Sequence, residues 1–384
     1  MMKIRKEIME LLPEVKHNRR ELHQIPEIGL ATIKTKEYLI EQLSGYGVDE
    51  IKTGYAENGF AVWVQGQSRD AVGFRSDMDA LPIQEETTVA FKSHHEGNMH
   101  ACGHDGHMAN MLALCHYICK HKKQLKQSVL FIFQPGEEGD GGARRMIDQG
   151  LFRDYPIQQV FGTHLVGDLP KGKIGCKAGS FMARNGEITI KLYGQSAHGA
   201  QPHTGNDMSI AMSSLLLQLQ TIVSRNMDPL HNTVITFGEI HCGQVSNVIA
   251  DHAIMRGTMR SFTDAMYEKM KIRMQQICDG IAESFQCKVE LYIEDCYHVV
   301  DNDEALNELL KQVCGDDYLE IEPRMISEDF SDYQREVPGL FYFTGIQDER
   351  YNKNIHDCQF DFDEAALLTS VEVNVRLLEA MHIL

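Results

Sequence analysis

The sequence predicts an α/β protein whose mainly parallel sheet is interrupted by a smaller α+β domain. From residue 59 onward, short apolar runs alternate with a helical pattern, which is typical of a parallel sheet covered by helices on both faces. Residues 186–296 follow a different order, β-α-β-β-α-β, the split arrangement of ferredoxin-like domains. The α/β pattern then returns. We therefore expect a discontinuous main domain of residues 1–180 and 297–384 and an inserted domain of residues 181–296.

The main domain is expected to alternate helices with buried strands. Apolar residues at helical spacing predict two helices in the first 45 residues, on either side of the segment HQIPEIG. Asp105 is expected to cap a helix that turns its apolar face inward. The other predicted elements are strands at Ala61–Val64, Ala71–Phe74, Val129–Phe133, Val160–Phe161 and Leu340–Thr344, a helix near Glu304–Val313 and a final helix from Asp363.

The inserted domain shows clear strand and helix periodicities. Its first strand is predicted from alternating Ile188, Ile190 and Leu192, and its last from Val289, Leu291 and Ile293. Its roughly 110 residues are a normal size for an independent unit. Between the outer strands the pattern predicts helices at about Asp207–Arg225 and Asp264–Phe285 and strands near Thr233–Ile240 and His252–Arg260.

Composition argues against several classes of partner. The 384 residues include 37 basic and 55 acidic side chains, and the net charge of −18 would repel nucleic acids and anionic membranes. No run approaches the ~20 apolar residues of a membrane-spanning helix. The N-terminus, MMKIRKEIME, lacks the apolar core of a secretion signal. The ten scattered cysteines are expected to be free thiols in a reducing compartment, the cytoplasm.

Side chains that bind metals or transfer protons cluster near predicted strand ends. The segment MHACGHDGHM, residues 99–108, contains three histidines, a cysteine and an aspartate. Three predicted strands run into RSDMD, QPGEEGDGG and GTH, and NKNIHDCQFDF precedes the last helix. Because sites in open α/β sheets form at the carboxyl ends of strands, we expect these segments to meet at one edge of the sheet.

Glu137 and Glu138 are adjacent on a glycine-flanked loop. Two neighbouring carboxylates repel each other unless one is protonated or a positive charge holds both. A metal ion bound by one glutamate would supply that charge and leave the other as a general base. Most such pairs are solvated surface acids, so this interpretation depends on the nearby histidines and Cys102.

Three other kinds of site fit less well. A structural zinc finger would need a C-x-x-C pair, and Cys115 and Cys119 are better explained as core thiols on a helix. The segment GDGG does not match the G-x-G-x-x-G of a dinucleotide site, where the two glutamates would repel a pyrophosphate. GQSAHG around Ser196 only resembles the nucleophile elbow of serine hydrolases.

A series of motifs resembles, in order, the motifs of one family of two-metal amidohydrolases. The family is that of aminoacylase, hippurate hydrolase and indole-acetyl-amino-acid hydrolase, related to carboxypeptidase G-type enzymes. The resemblance spans nearly the whole chain. The motifs are RSDMDALPI, MHACGHDGHMA, FQPGEEG, GTHL, GQSAHGAQPH, SNVIAD, GTMR, SEDFS and HDCQFDFDE.

The resemblance implies a metal centre in the main domain, which is then the catalytic domain. It assigns the role of catalytic acid/base to Glu137, and Asp79 matches a residue that orients the metal site. Asp77 stands where relatives with an H-x-D motif have a ligating histidine, and Cys102 is expected to replace that ligand. The implied metal ligands are Cys102, His104, Glu138, His164 and His356.

The inserted domain is implied to be a lid and dimerisation domain. His198 matches a residue that reaches the active site of the other subunit. Asn247 and Arg260 match positions that hold the substrate carboxylate or polarise its carbonyl, although Arg260 could equally form an ordinary salt bridge. The resemblance therefore implies a homodimer or a homotetramer.

The implied reaction is hydrolysis of the amide bond of N-acyl amino acids, a small-molecule substrate. Two divalent ions per subunit would activate water, with Glu137 as the general base. Three histidines, a glutamate and a cysteine suit zinc, with manganese, cobalt and nickel as alternatives. The competing hypotheses are a dipeptidase or carboxypeptidase on the same scaffold, and a non-catalytic binding protein.

The remaining histidines of these motifs have simpler interpretations. His94, His95, His100 and His203 are expected to be solvated loop residues. His107 lies one turn after His104, and we expect it to support the site or cap the helix rather than bind a metal.

Overall fold

The structure is a computed structural model that describes residues 2–351 and 353–384. The chain divides into two compact units. The larger unit comprises Met1–Phe181, Val300–Glu322 and Asp329–Leu384, and the smaller unit comprises Met182–Val299 and Pro323–Glu328. The return of the short segment Pro323–Glu328 to the smaller unit is a feature that the sequence pattern does not indicate.

The larger unit is built around an eight-stranded sheet, with strands numbered along the chain. Its strands are β1 (Glu50–Tyr55), β2 (Gly59–Val64), β3 (Ser68–Asp77), β4 (Gln127–Gln134), β5 (Ile157–Pro170), β6 (Ile174–Cys176), β13 (Tyr318–Glu320) and β14 (Gly339–Gln347). Their order across the sheet is β1-β2-β4-β3-β5-β14-β6-β13.

The centre of this sheet is parallel. Strands β4, β3, β5 and β14 pair in parallel, while β1 and β2 add antiparallel strands at one edge. The central strands are buried along most of their length, as expected when helices cover both faces. The predicted α/β class with a mainly parallel sheet is therefore confirmed.

Helices pack around this sheet. The first 45 residues form three helices rather than the predicted two, because a single turn precedes the first long helix. The helices are α1 (Lys6–Met9), α2 (Leu12–His23), α3 (Ile33–Ser44), α4 (His104–His121), α5 (Gly142–Asp148), α6 (Leu151–Asp154), α9 (Glu304–Cys314), α10 (Phe330–Gln334) and α11 (Leu367–Ala380).

The smaller unit has the predicted β-α-β-β-α-β order. Its antiparallel sheet has the order β11-β8-β10-β9. Ile188, Ile190 and Leu192 belong to a core that is distinct from the core of the larger unit. The elements are β8 (Arg184–Tyr193), α7 (Met208–Thr221), β9 (Thr233–Cys242), β10 (His252–Ser261), α8 (Asp264–Phe285) and β11 (Lys288–Asp295).

Two further features complete the description. Short strands β7 (Gly179–Met182) and β12 (Val300–Asn302) form a two-stranded sheet. Within residues 2–351 and 353–384, no helix combines the length and the apolar character that crossing a bilayer requires.

Candidate metal centre

The structure brings the five predicted metal ligands together at one edge of the larger unit's sheet. Cys102 lies two residues before α4, and His104 is the first residue of that helix. Glu138 lies on the loop after β4, and His356 lies on the loop between β14 and α11. His164 was expected just after a strand, but it lies inside β5 because that strand continues to Pro170.

Distances divide these ligands into two groups that share Cys102. The Sγ atom of Cys102 lies 3.3 Å from Nε2 of His164 and 3.3 Å from Nε2 of His356. Oε1 of Glu138 lies 3.6 Å from Nε2 of His356 and 3.9 Å from Nε2 of His104. Within Cys102/His104/His164, and within Cys102/Glu138/His356, the ligand atoms lie no more than 4.8 Å apart.

Two atoms of this cluster are positioned as metal ligands commonly are. Nδ1 of His104 donates to the backbone carbonyl of Asp79 at 2.8 Å, which leaves Nε2 as the unprotonated nitrogen. In the described part of the chain, neither Nε2 of His104 nor Oε1 of Glu138 has a hydrogen-bond partner, although both are buried. Because buried polar atoms rarely lack partners, divalent cations fit this donor set.

The electrostatics of the cluster favour added positive charge. Burial raises the pKa of the Cys102 thiol well above its ordinary value, and the carboxylates of Glu138 and Glu137 raise it further. Burial lowers the pKa of His104, but Asp77, Glu138 and Asp79 outweigh burial and raise it. A cation at this position would compensate the surrounding carboxylates and stabilise the thiolate form of Cys102.

Asp79 positions the two glutamates. Its Oδ1 accepts from the backbone N–H of Glu137 at 3.0 Å, and its Oδ2 accepts from the N–H of Glu138 at 3.1 Å. Burial raises the pKa of Asp79 to about 7. Glu137 is 7% exposed, and one of its carboxylate oxygens lies within 4.8 Å of the ligand atoms of His104 and Glu138.

One side of the cluster is buried, and the other is accessible to solvent. His104 is fully buried, whereas the side chain of His356 is 50% exposed. His356 also has a φ of +67°, a backbone conformation that costs energy in a residue with a side chain. Its N–H donates to the carbonyl of Ala101 at 2.8 Å, which fixes it beside Cys102. Such partial accessibility is what a catalytic site requires.

Two residues beside the ligands differ from the prediction. Asp105 does not cap α4, because Gly103 occupies the N-cap position with a φ of +89°, which glycine adopts readily. Asp105 is instead buried and accepts from Nε of Arg19 at 3.1 Å and Nδ1 of His23 at 2.8 Å. His100 was expected to be solvated, but it is buried at 1% exposure because the chain turns inward toward Cys102.

The sequence did not indicate the buried ion pairs that surround Arg75, at the carboxyl-terminal end of β3 next to the cluster. Arg75, in β3, donates from Nη1 to Asp77 at 2.8 Å and from Nη2 to Asp329 at 2.7 Å. Asp329 also accepts from the N–H of Ala143, the second residue of α5. The available signal was an arginine directly after the predicted strand Ala71–Phe74, since a buried guanidinium needs acidic partners.

His198, predicted to be catalytic, and the predicted substrate-binding residues Asn247 and Arg260 lie in the smaller unit, at two separate places. The segments around His198 and Asn247 pair with each other, with Gly199 N–H donating to the carbonyl of Asn247 at 2.8 Å. Arg260 lies near the far end of β10, roughly 25 Å along the strand from His252 at the rise of a β-strand. Arg260 donates from Nη1 to Thr258 at 3.2 Å.

The model of peptidase family M20/M25/M40 matches residues 73–380, which include all five candidate ligands and both glutamates. The chain belongs to this family. The resemblance seen in the sequence motifs is therefore confirmed.

Relatives of this M20 chain include proteins named as deacetylases. N-acetyldiaminopimelate deacetylase of Listeria monocytogenes serotype 4b (strain CLIP80459) is 36% identical over 367 residues, covering 94% of this chain and 98% of the relative. The protein of the same name from Geobacillus sp. (strain WCH70) is 38% identical over 354 residues, covering 91% and 93%.

Solved structures show the same fold. The Bacillus subtilis YXEP protein, a dinuclear metal-binding peptidase of the M20 family, has a TM-score of 0.85 at 28% identity and covers 98% of this chain and 99% of its own. A protein from methicillin-resistant Staphylococcus aureus has a TM-score of 0.92 at 30% identity, covering 99% and 98%.

Proposed function

We propose that this M20 protein is a metal-dependent amidohydrolase that releases the amino acid from N-acyl amino acids. The observation that carries the proposal is the cluster of Cys102, His104, Glu138, His164 and His356 beside the carboxylate of Glu137. The deacetylase relatives support N-acetyl amino acids as the substrate class, with N-acetyldiaminopimelate as the first compound to test.

The five ligands would hold two divalent cations, one for each of the two groups that share Cys102. When bound, such cations polarise the amide carbonyl and lower the pKa of water. The ligand types suit zinc, manganese, cobalt or nickel. Two metals are also supported by the dinuclear Bacillus subtilis relative.

Glu137 carries the proton in this reaction. It takes the proton from the attacking water as the water oxygen bonds to the amide carbon, and it delivers that proton to the amide nitrogen as the C–N bond breaks. The second proton of the water also ends on that nitrogen, so the products are a carboxylate and the protonated amine of the amino acid. Asp79 supports this step because its two hydrogen bonds hold the backbone that carries Glu137 and Glu138.

The central test is Glu137→Gln in metal-reconstituted protein. We expect the variant to bind the wild-type amount of metal but to hydrolyse N-acetyl amino acids 10²–10⁴-fold more slowly, because a proton acceptor is lost while the ligands remain. Elemental analysis and a substrate panel that includes dipeptides provide the measurements. A near-native rate would contradict the role of Glu137, and cleavage of dipeptides alone would favour a dipeptidase.

We further propose that the smaller unit forms a homodimer and supplies His198 to the partner's site. Nδ1 of His198 accepts from the N–H of Ala200 at 3.1 Å, so the proton on Nε2 is available to stabilise an oxyanion. Arg260 and Asn247 are proposed to hold the substrate carboxylate or its carbonyl.

Helix α7 and the edge strand β9 are the proposed dimer surface. The segment Met208–Thr221 contains no charged residue, although 24% of the chain is charged. Ile210 and Leu217 on this helix are 59% and 72% exposed. Among the described residues, strand β9 pairs only with β10, so it can extend its sheet across a two-fold axis.

Mixing two inactive variants tests the trans arrangement. His198→Ala and Glu137→Gln are co-expressed, and the mixed dimer contains one site with both native residues. We expect about a quarter of wild-type activity from a random mixture. No recovery would show that His198 acts within its own chain. For the surface itself, Leu217→Glu should give monomers in sedimentation, while Ile272→Glu, on exposed Ile272 of α8, should not.

A cytoplasmic location is also proposed. All ten cysteines lie in the described part of the chain, and each is a free thiol. Free thiols are typical of a reducing compartment.

A further inference from the structure

His107 lies among the candidate ligands, but both of its ring nitrogens are already engaged. The backbone N–H of Leu165 donates to Nε2 at 3.0 Å, so Nε2 is unprotonated. The ring proton is therefore on Nδ1, which donates to Oδ1 of Asp77 at 2.7 Å. A neutral histidine held in this way has no lone pair left for a cation.

Asp77 is a buried carboxylate whose two oxygens both accept hydrogen bonds. Its Oδ1 accepts from His107 and its Oδ2 accepts from Nη1 of Arg75 at 2.8 Å. Arg75 is itself fixed, since Nε donates to Gln134 at 2.9 Å and Nη2 donates to Asp329 at 2.7 Å. Asp77 and Gln134 are the last residues of the adjacent parallel strands β3 and β4 and pair with each other, so this anchor belongs to the buried centre of the sheet.

The other end of this arrangement reaches a metal ligand. Leu165, whose N–H is held by His107, directly follows His164 in β5. Nδ1 of His164 donates to the carbonyl of Leu165 at 2.7 Å, which leaves Nε2 facing Cys102. The rings of His107 and His164 also meet edge to face, with centroids 4.5 Å apart and planes at 72°.

We propose that Asp77 and His107 are positioning residues for the metal centre, acting through the backbone of Leu165 and the ring of His164. Asp77 does this instead of binding a cation itself, although it occupies the place of a ligating histidine in relatives with an H-x-D motif. The inference rests on the proposed metal-dependent function. It explains why an aspartate at this position is compatible with a complete ligand set.

The alternative is that Asp77 is itself a ligand. Its Oδ2 lies 3.8 Å from Nε2 of His104, and Asp77, His104 and His107 have potential ligand atoms within 4.8 Å of one another. Against this, Oδ2 already accepts from Arg75, and a cation there would lie next to a guanidinium. Electrostatic repulsion between the cation and Arg75 disfavours that position.

The first experiment compares three variants of the full-length protein by titration of the metal-free form with cobalt(II). His107→Leu removes both hydrogen bonds, and His107→Gln retains an amide N–H and an oxygen that can replace them. We expect His107→Leu to bind cobalt 10–100-fold more weakly with an altered visible spectrum, and His107→Gln to recover much of the affinity. The matched control is His116→Leu on the same helix, where the native side chain pairs with Glu14.

The second experiment uses Asp77→Asn, whose oxygen can still accept from His107. We expect this variant to bind the wild-type number of cobalt ions per chain, because no ligand is removed. Loss of one ion per chain would show that Asp77 is a ligand and would overturn the inference.

Two further outcomes separate this inference from the proposed function. Wild-type affinity and a wild-type cobalt spectrum in His107→Leu would overturn the inference alone. Failure of the wild-type protein to bind cobalt would overturn the proposed function, and the inference with it. Circular dichroism of the metal-free protein shows whether His107→Leu folds. If it does not fold, the cobalt spectrum of His107→Gln tests the inference instead. Weaker binding with an unchanged ligand field would contradict the positioning of His164.

Discussion

At the scale of single residues, Cys102 acquires its role from partners that are distant in sequence. It is 62 positions from His164 and 254 positions from His356, yet its sulfur lies 3.3 Å from a ring nitrogen of each. The sequence motifs identified the residue types, but the side-chain atoms that face one another are determined by where α4, β5 and the loop before α11 meet. A thiol shared by two ligand groups is therefore a tertiary feature.

Substitution of Cys102 by serine should weaken metal binding at both positions. The hydroxyl has nearly the same size but is a much poorer ligand, so we expect at least a tenfold loss of zinc affinity and a corresponding loss of activity. Competition with a chromogenic chelator measures the affinity. Cys287→Ser, on a half-buried cysteine of the smaller unit, is the control and should bind zinc normally. Unchanged affinity in Cys102→Ser would remove Cys102 from the ligand set.

Replacement of Asp79 by asparagine should lower stability even without metal. Asparagine offers one oxygen where Asp79 offers two, so one of the N–H groups of Glu137 and Glu138 loses its acceptor. We expect a loss of about 1–3 kcal/mol in the free energy of unfolding, measured by urea denaturation of the metal-free protein. Asp70→Asn, on exposed Asp70, should have little effect. Equal stability of wild type and Asp79→Asn would contradict this role.

At the scale of elements, the long and periodic segments were predictable and the short ones were not. Helix α8 was predicted with its observed bounds, because its apolar periodicity continues over 22 residues. Strands β6 and β13 were missed, since three residues show no period, and β1 was missed because its residues are mostly exposed or half-buried. These three strands form because they hydrogen-bond to neighbouring strands: β1 to β2, β6 to β14, and β13 to β6.

Helices α2 and α4 are joined by buried charges that periodicity did not reveal. His23 contacts Asp105 at 2.8 Å and Glu85 at 3.4 Å, while Arg19 contacts Asp105 at 3.1 Å. Burial lowers the pKa of His23 and Arg19 lowers it slightly, but Asp105 and Glu85 outweigh them and raise it to about 9. A protonated His23 therefore stabilises the attachment of α2 to the start of α4.

This raised pKa predicts a pH-dependent stability. Because the pKa of His23 rises from 6.5 in the unfolded chain to about 9 in the fold, its stabilising effect is complete below pH 6.5 and is lost as the pH rises through 9. The difference in unfolding free energy between wild type and His23→Gln should shrink by about 3 kcal/mol between pH 6 and pH 10. His17→Gln, on exposed His17 of the same helix, should show no such change. A difference that stays constant with pH would contradict protonation of His23.

At the scale of the whole molecule, the two units have separate cores, and all five candidate metal ligands belong to the larger one. Ligand binding stabilises only the part of a protein that binds, by about 2.7 kcal/mol at a metal concentration 100 times Kd. Zinc should therefore raise the unfolding temperature of the larger unit and leave the unfolding temperature of the smaller unit unchanged.

Calorimetry of metal-free and zinc-loaded protein tests this expectation. Ile190→Ala, at a fully buried position of the smaller unit, identifies the transition of that unit because such a cavity costs about 2–5 kcal/mol. Zinc should move only the transition that Ile190→Ala leaves unchanged. Equal shifts of both transitions would show that the units unfold as one.

The sequence by itself determined the fold class, the order of the long elements, the family and the residue types of the candidate centre, because periodicity and motif spacing are local properties of the chain. The tertiary structure alone decided which ring nitrogen of His104 is free to bind a metal and that His107 accepts a hydrogen bond from Leu165. It also decided that Asp105 pairs with residues of α2 rather than capping α4, and that His100 is buried. These facts depend on distances between residues far apart in sequence. Such distances are set by the packing of helices on the sheet, which no local pattern encodes.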